Sequence, residues 1–545
     1  MSIETFAEQE KPRLGARLTG MYCRFFAAYL IAMILMWIVG VESLFYHATP
    51  FYALYDPIIA TRPEAAVLAV LLWLVYLAFA TAFPALRATG APPKGWVFAS
   101  WALCAAAASA WFAVTAWDAH TDATEMAAAI WDAFRWHGLA IFVFAAFLGL
   151  LLTFLPRLFP AFGAPEGRGL AWILLGVMVF SFLFAGSIAM IRGGPDGIAH
   201  AYERRDSEFI GDIGLGGGIR GLFRDYEDIH GQLSMHGKVH PPGPTVLLWL
   251  MSYVTLSREP LPLSLATMAF GVLAIIPLYF FARDLAGHRA ALTACLMYAL
   301  MPSIVLFTAT SANILFMPFV LTTLFLFWRA LHHCSMIYAV GAGVGYAFMS
   351  LLSFGLIGVG AFFGIVGLWR LKDRLLRFSV FQTAVIMLLA FLGVHLAVRW
   401  WSGFDMFAAF GLALAQFNLD QAQLEQLTPR YPGYAWRFFN PLAWVYFAGI
   451  PVSLLLFWRL FKPEPATKAL FLVFALTLLA LNFLYLGRGE GERSAMYILP
   501  FAVIPAAHAL NRLCEAGESR APLVATLGFL AFQCWFTESY FYTYW

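Results

Sequence analysis

Three short stretches of this chain hold the residue types from which acid–base and phosphate chemistry is built. The first, "ERRDSEFIGDI" at 203–213, places Asp206, Glu208 and Asp212 within seven residues. Carboxylates this close could work as general bases or hold a divalent cation. If the stretch is helical, Glu208 and Asp212 lie one turn apart on one face, with Asp206 at the N-cap. The plainer alternative is a solvated interfacial helix whose acids pair with Arg204, Arg205 and Arg220. The second stretch is "SMHGKVHPPGPTVLLW" at 234–249, where His236, Lys238 and His240 run into Pro-Pro-Gly-Pro. Proline is favoured in the first turn of a helix, where its missing N–H costs nothing. The prolines therefore predict a helix start near residue 243, whose free N–H groups and partial positive charge suit a phosphate. The three basic side chains could add donors; His240 could equally be a capping residue, and the whole could be a simple turn with snorkelling cations. The third stretch, "LGRGEGERSAMYILP" at 486–500, crowds Arg488, Glu490, Glu492 and Arg493 together. Arginine binds phosphate through a planar fork and stays charged at any working pH. The alternative is that these four charges only pair with one another.

The elements that must position these residues are membrane helices. Of 545 residues 62% are hydrophobic and 12% charged, about half the charge of a soluble domain. Apolar runs of about 20 residues, each long enough to cross a bilayer, fall at 24–45, 65–86, 95–117, 138–156, 169–191, 261–282, 289–306, 313–332, 336–352, 354–370, 378–400, 441–460, 466–486, 495–512 and 521–541. The fold class is an all-α polytopic membrane protein with about 15 transmembrane helices. With the N-terminus in the cytoplasm, alternate short loops carry Arg87 and Lys94, Arg157 and Arg168, Arg283 and Arg289, Arg329, the run "LWRLKDRLLR" (368–377), Arg459 to Lys468, and Arg512 and Arg520. The opposite loops carry few basic residues, as the positive-inside rule requires.

That count holds only if 243–257 does not span. It is short and ends in "SREP", so it is read as a re-entrant or juxtamembrane helix on the outer side, tolerated where protein covers it. Two long non-cytoplasmic loops then share one face, 192–260 and 401–440, with a short third at 487–494. The second has helical apolar spacing and could lie in the interface. Residues 1–165 read as an N-terminal module of four helices, 166–332 as the core carrying the first outer loop, and 333–545 as the C-terminal helices. No CxxC occurs among six cysteines, so neither a disulfide framework nor a cysteine-built metal site is inferred. The glycines of "GLGGGIRG" (214–221) lack both P-loop and Rossmann spacing, and no nucleic-acid partner is expected.

The order of these pieces resembles the GT-C superfamily of membrane glycosyltransferases, which includes protein O-mannosyltransferases and lipid A aminoarabinose transferases. The match rests on a span, an outer loop opening with acids, the "HPPG" juxtamembrane helix, and the basic turn within "IIPLYFFARDLAGHRAALTACLMYALMPSIVLFTATSANILF" (275–316). "GEGERSAMYILP" is similar to an arginine-bearing outer loop of those enzymes. The resemblance runs loosely from 169 to about 513. It implies that a polyprenyl-phosphate sugar donor gives its sugar to a glycan, lipid or protein acceptor, with inversion. It implies a catalytic carboxylate early in the first loop, Asp206 or Glu208, with Asp212 or Asp196 as substitutes. Arg488, Arg493, His236, Lys238 and His240 would hold the donor phosphate. Relatives often carry a second acid near 305–313, where this chain has "LFTATSANILF"; no metal ligand is assigned, and a divalent cation stays an open alternative. A lipid-linked-sugar transporter or flippase is the rival class, as is a carrier-lipid-binding protein without turnover. Transporters usually place ionisable groups inside spans near the midplane, and here the spans hold few, among them Glu42 and His395. The expected location is a bacterial plasma membrane, with the site on the non-cytoplasmic side.

Overall fold

A computed structural model describes residues 14–38, 135–151, 168–192, 194–427, 436–484, 491–494, 496–516 and 519–540. Among the described residues the regular structure is helical, with no strand. Five helices are long and apolar enough to cross a membrane: Arg168–Ala189, Pro260–Tyr298, Ala312–His333, Arg377–Ser402 and Pro465–Leu484. A sixth span forms if Asn440–Phe447 and Ile450–Phe461, bent at 108°, are one broken span. Arg135–Leu151, Met336–Leu352 and Phe354–Arg370 are shorter apolar helices. The expected total of about 15 therefore exceeds what these helices show, and the spans expected at 65–86 and 95–117 lie outside the described residues.

Pro260–Tyr298 is too long for one crossing: 39 residues at about 1.5 Å each would reach nearly twice the hydrocarbon thickness. The chain instead reverses at Gly287, where φ is 85° and ψ 168°. Cys295 Sγ consequently lies 3.7 Å from the carbonyl oxygen of Ile275, which a straight helix could not allow. Two legs joined by the turn "RDLAGHR" result, as the apolar runs 261–282 and 289–306 predict.

Four further helices then run back and forth between two ends of the molecule. Ala312–His333 starts with Phe316 against His240 and ends with Arg329 paired to Asp284 beside the Gly287 turn. Met336–Leu352 returns to His240, which hydrogen-bonds the backbone of Leu352. Phe354–Arg370 goes out again, so that Arg370 meets His332. Arg377–Ser402 starts there, with Ser379 Oγ donating to the carbonyl of Leu331 at 2.6 Å. It comes back to the first-loop end, where Phe404 packs on Phe223 and Tyr226. The start of the second long loop, with Phe404 and Ala409, thus joins Leu222, Phe223, Tyr226 and Leu233 of the first in one buried cluster. The two loops share an end because their apolar residues bury each other.

The basic turns gather at the other end. Glu464 accepts from Arg459 Nη2 at 2.6 Å and from Arg512 Nε at 2.7 Å, and Glu515 joins Arg512 to Arg289 at 3.1 and 3.2 Å. Arg459 is 3% exposed, so Glu464 balances a buried charge. Glu464→Gln is expected to cost about 2 kcal/mol, below the ~3–5 of a fully buried pair because Glu464 reaches solvent. A fall in the thermal midpoint of the purified protein, with no change in donor affinity, would report it. The broken span is latched by Gln533, whose Nε2 donates to Tyr446 O at 2.8 Å while its Oε1 accepts from Ile450 N at 2.9 Å. Backbone groups freed at membrane depth need such partners. The first helix, Leu14–Ile38, packs on Ala521–Tyr540 through Tyr22, Phe26 and Phe529.

Candidate active site

Proline shapes the start of the helix Gly243–Thr255 as its sequence predicts, with Pro242 at the N-cap and proline again in the first turn. Thirteen residues are too few to cross a bilayer. Glycine at 243 has a packing reason: a Cβ there would sit 2.1 Å from the carbonyl oxygen of Leu351. The helix start is therefore pressed against the 351–353 turn. His240 fastens the same joint. It is half-buried, packed against Phe209 at 5.4 Å and Phe316 at 6.2 Å between ring centroids, and desolvation of the ring pushes its pKa down to about 3. It sits here as a neutral packing and hydrogen-bonding group, so it adds no positive charge for a phosphate. It does not cap the helix.

The acidic stretch does not form the helix that would set Glu208 and Asp212 on one face. Phe209–Asp212 is a single 3-10 turn, and Glu208 before it is extended, at φ −104° and ψ 153°. Residues 206 and 207 instead run beside the "SMHG" segment: Met235 N donates to Asp206 O at 2.9 Å and His236 N to Ser207 O at 3.0 Å. This pairing sends the three acids to three different places.

Asp212 is a clasp. Its Oδ1 accepts from Ser234 N at 2.6 Å and its Oδ2 from Ser234 Oγ at 2.8 Å, while Ser234 Oγ accepts from Gly237 N at 3.1 Å to cap the short helix Met235–Val239. A Cβ on residue 237 would come within 2.2 Å of Asp212 Oδ2, which explains the glycine. Burial pushes the Asp212 carboxyl up to about 6, against the pull of its bonds to Ser234 and Thr245. Because the folded pKa is raised, this group's stabilisation is full below the ordinary carboxylate range and is lost as pH rises through about 6. Asp212→Asn keeps an acceptor for Ser234 N and offers a donor to Ser234 Oγ. We expect it to fold and turn over normally, and to remove that step from a stability profile taken between pH 4 and 8. Asp212→Ala should lose about 1–3 kcal/mol by leaving the buried Ser234 N–H unpaired.

Glu208 faces the other way and is 3% exposed. Its Oε1 lies 3.3 Å from His236 Nε2, and the same nitrogen lies 3.4 Å from Arg493 Nη2. Burial acts to raise the Glu208 pKa, but His236, Arg493 and Arg204 outweigh it and hold the carboxyl below its ordinary range. A ring nitrogen carries at most one proton, so Nε2 either donates to Glu208 or accepts from Arg493. Arg493 is itself 5% exposed, on the short helix Gly491–Ser494 that leads into Leu499–Ala516. Elements 285 residues apart in sequence (493 − 208) thus meet in one buried charge group.

Asp206 is exposed and Lys238 is half-exposed. The Lys238 carbonyl accepts from His230 Nε2 at 2.9 Å. Arg488 and Glu490 lie outside the described residues. Among the described residues no group of three or more His, Cys, Asp and Glu side chains comes together to hold a metal ion. Sequence reasoning missed Ser234 and Thr245; the serine three residues before Gly237 was the available sign of a cap.

The arrangement sets a guanidinium beside a histidine and a buried carboxylate, with a second carboxylate exposed two residues earlier in the chain. No curated protein matches the chain. Residues 239–401, from the last residue of the Met235–Val239 helix to the end of the Arg377–Ser402 helix, match the family model described as dolichyl-phosphate-mannose-protein mannosyltransferase, a family of GT-C type.

Proposed function

We propose that the protein transfers a sugar from a polyprenyl-phosphate carrier to an acceptor hydroxyl on the non-cytoplasmic face of the membrane, by a single inverting displacement. The observation that carries this reading is the meeting of Glu208, His236 and Arg493, with Asp206 exposed two residues before Glu208. Asp206 takes the proton from the acceptor hydroxyl as its oxygen attacks the anomeric carbon. The bond from that carbon to the carrier phosphate breaks, and the phosphate leaves carrying the negative charge. Arg493 and Lys238 offer fixed positive charge where that charge develops, which is worth most in a water-poor site, and Arg488 is the further donor that the sequence supplies. Glu208 stays ionised and balances Arg493 and His236, so it positions the guanidinium. His240 and Asp212 fix the loop on which these groups stand.

The polar face assignment follows the positive-inside rule: the basic turns gather at one end and the site at the other. A glycan, lipid or protein acceptor would enter at Asp206, while the carrier tail lies along apolar helix surface in the bilayer. Reconstituted protein incubated with a panel of labelled polyprenyl-phosphate sugars should release free polyprenyl phosphate with one of them in the presence of acceptor. Movement of intact carrier across the bilayer without release would favour the transporter reading and sink this one.

A further inference from the structure

At the end of the bundle remote from Glu208, Arg370 is held in a cage. Its Cζ lies 4.1 Å from the ring centroid of Trp369 and 5.3 Å from that of Trp328. Its Nη2 donates to His332 Nε2 at 2.9 Å, and His332 Nδ1 is 2.9 Å from the carbonyl oxygen of Trp328. That carbonyl can only accept, so Nδ1 carries the proton and Nε2 is free to receive from Arg370. The imidazole is thereby fixed as a neutral acceptor. Among the described residues no carboxylate ion-pairs with Arg370, and its Nε–H is enclosed without an acceptor. The nearby acids are committed elsewhere: Asp284 to Arg329, and Asp373 to the backbone N–H of Leu375. A half-buried guanidinium that feels the exposed Asp373 only at a distance, with no ion pair to it, gains from a further anion.

The surroundings say what supplies it. Lys372, Arg374 and Arg377 are exposed on the turn that follows. Between and beside them Leu368, Leu375 and Phe378 are 69%, 90% and 73% exposed. Such a mixture suits the boundary between headgroups and acyl chains, where charged tips reach the phosphates and apolar side chains enter the hydrocarbon.

We propose that the Trp328–Arg370–Trp369 cage binds the phosphate of an anionic membrane phospholipid, whose acyl chains lie along Leu368 and Phe378. The phosphate meets the amino edge of the Arg370 guanidinium, since the Nε–H is enclosed, and takes charge-assisted hydrogen bonds there. The two indoles hold the fork in place, and the lipid ties together the ends of the Ala312–His333 and Phe354–Arg370 helices. This site is separate from the transferase chemistry and does not rest on it.

The full-length protein, purified in detergent with equal amounts of phosphatidylglycerol and phosphatidylcholine, tests the proposal by native mass spectrometry of retained lipid. Wild type should retain phosphatidylglycerol over phosphatidylcholine by roughly tenfold or more, the effect of one charge-assisted pair. Arg370→Gln should abolish that preference, and Arg370→Lys should restore only part of it. The double variant Lys372→Gln/Arg374→Gln should keep most of it. Equal retention of the two lipids by wild type overturns the proposal even if Arg370→Gln fails to fold. So does a preference that survives Arg370→Gln and disappears in the double variant, which would mean diffuse attraction by the turn. Displacement of the lipid by millimolar inorganic phosphate would identify free phosphate as the ligand and overturn the lipid assignment.

Discussion

Asp206→Asn should lower turnover by about 100- to 10,000-fold, the usual contribution of a positioned general base, while leaving polyprenyl-phosphate affinity within about twofold. The reason is placement. Asp206 is exposed, and its own carbonyl is engaged by Met235 N. The loop path therefore does not depend on the carboxylate. Glu208→Gln should behave differently, because the Glu208 carboxylate is buried against His236. Without its charge, the buried Arg493 guanidinium has less to balance it, so donor affinity should fall together with turnover. Single-turnover rates and direct binding of polyprenyl phosphate to both variants separate the two roles. If Glu208→Gln abolishes turnover with donor affinity intact and Asp206→Asn does not, the base is Glu208 and the assignment is reversed. Normal turnover in both would remove acid–base catalysis from this stretch.

Arg493→Ala should weaken binding of polyprenyl phosphate, even without its sugar, by about 10- to 150-fold. That is the span expected for losing hydrogen bonds to a charged group worth about 1.5–3 kcal/mol. Lysine should rescue only in part, since a point charge cannot copy the bidentate fork. The same change removes one of the cations that keep Glu208 ionised. Its second consequence is thus on pH: the Glu208 carboxyl loses part of what depresses it, and activity on the acid side should fail at higher pH than in wild type. Isothermal titration with the lipid phosphate, and an acid-limb activity profile, read the two effects independently. Wild-type affinity in Arg493→Ala would take the phosphate site away from this arginine.

Much of this protein is written in local chemistry. Runs of apolar residues mark helices because a bilayer leaves the backbone no partner but itself, and described helices cover the runs from 169 to 541 to within a few residues, apart from the bend between Phe447 and Ile450 and the residues not described. Pro-Pro-Gly-Pro marks a helix start because proline's fixed φ and missing N–H are tolerated there, and the helix begins at Gly243. The distribution of Lys and Arg sorts the loops into two sets, and the basic turns do gather at one end through Glu464, Glu515 and Asp284.

What a carboxylate or histidine does depends on neighbours that sequence separation hides. Asp206, Glu208 and Asp212 look alike in a row of seven residues, but extended pairing with "SMHG" turns one to solvent, one onto His236 and one onto Ser234. His240 reads as a cation until Phe209, Phe316 and Leu352 close around it and desolvation makes it neutral. The helical reading of 206–213 fails for the same reason. A short segment follows the hydrogen-bond partners that tertiary contact offers over its own weak propensity. Charge and period are properties of a chain segment and survive in one dimension. Burial and pairing are properties of the fold, and only the assembled helices decide which of these acids can take a proton and which must stay charged.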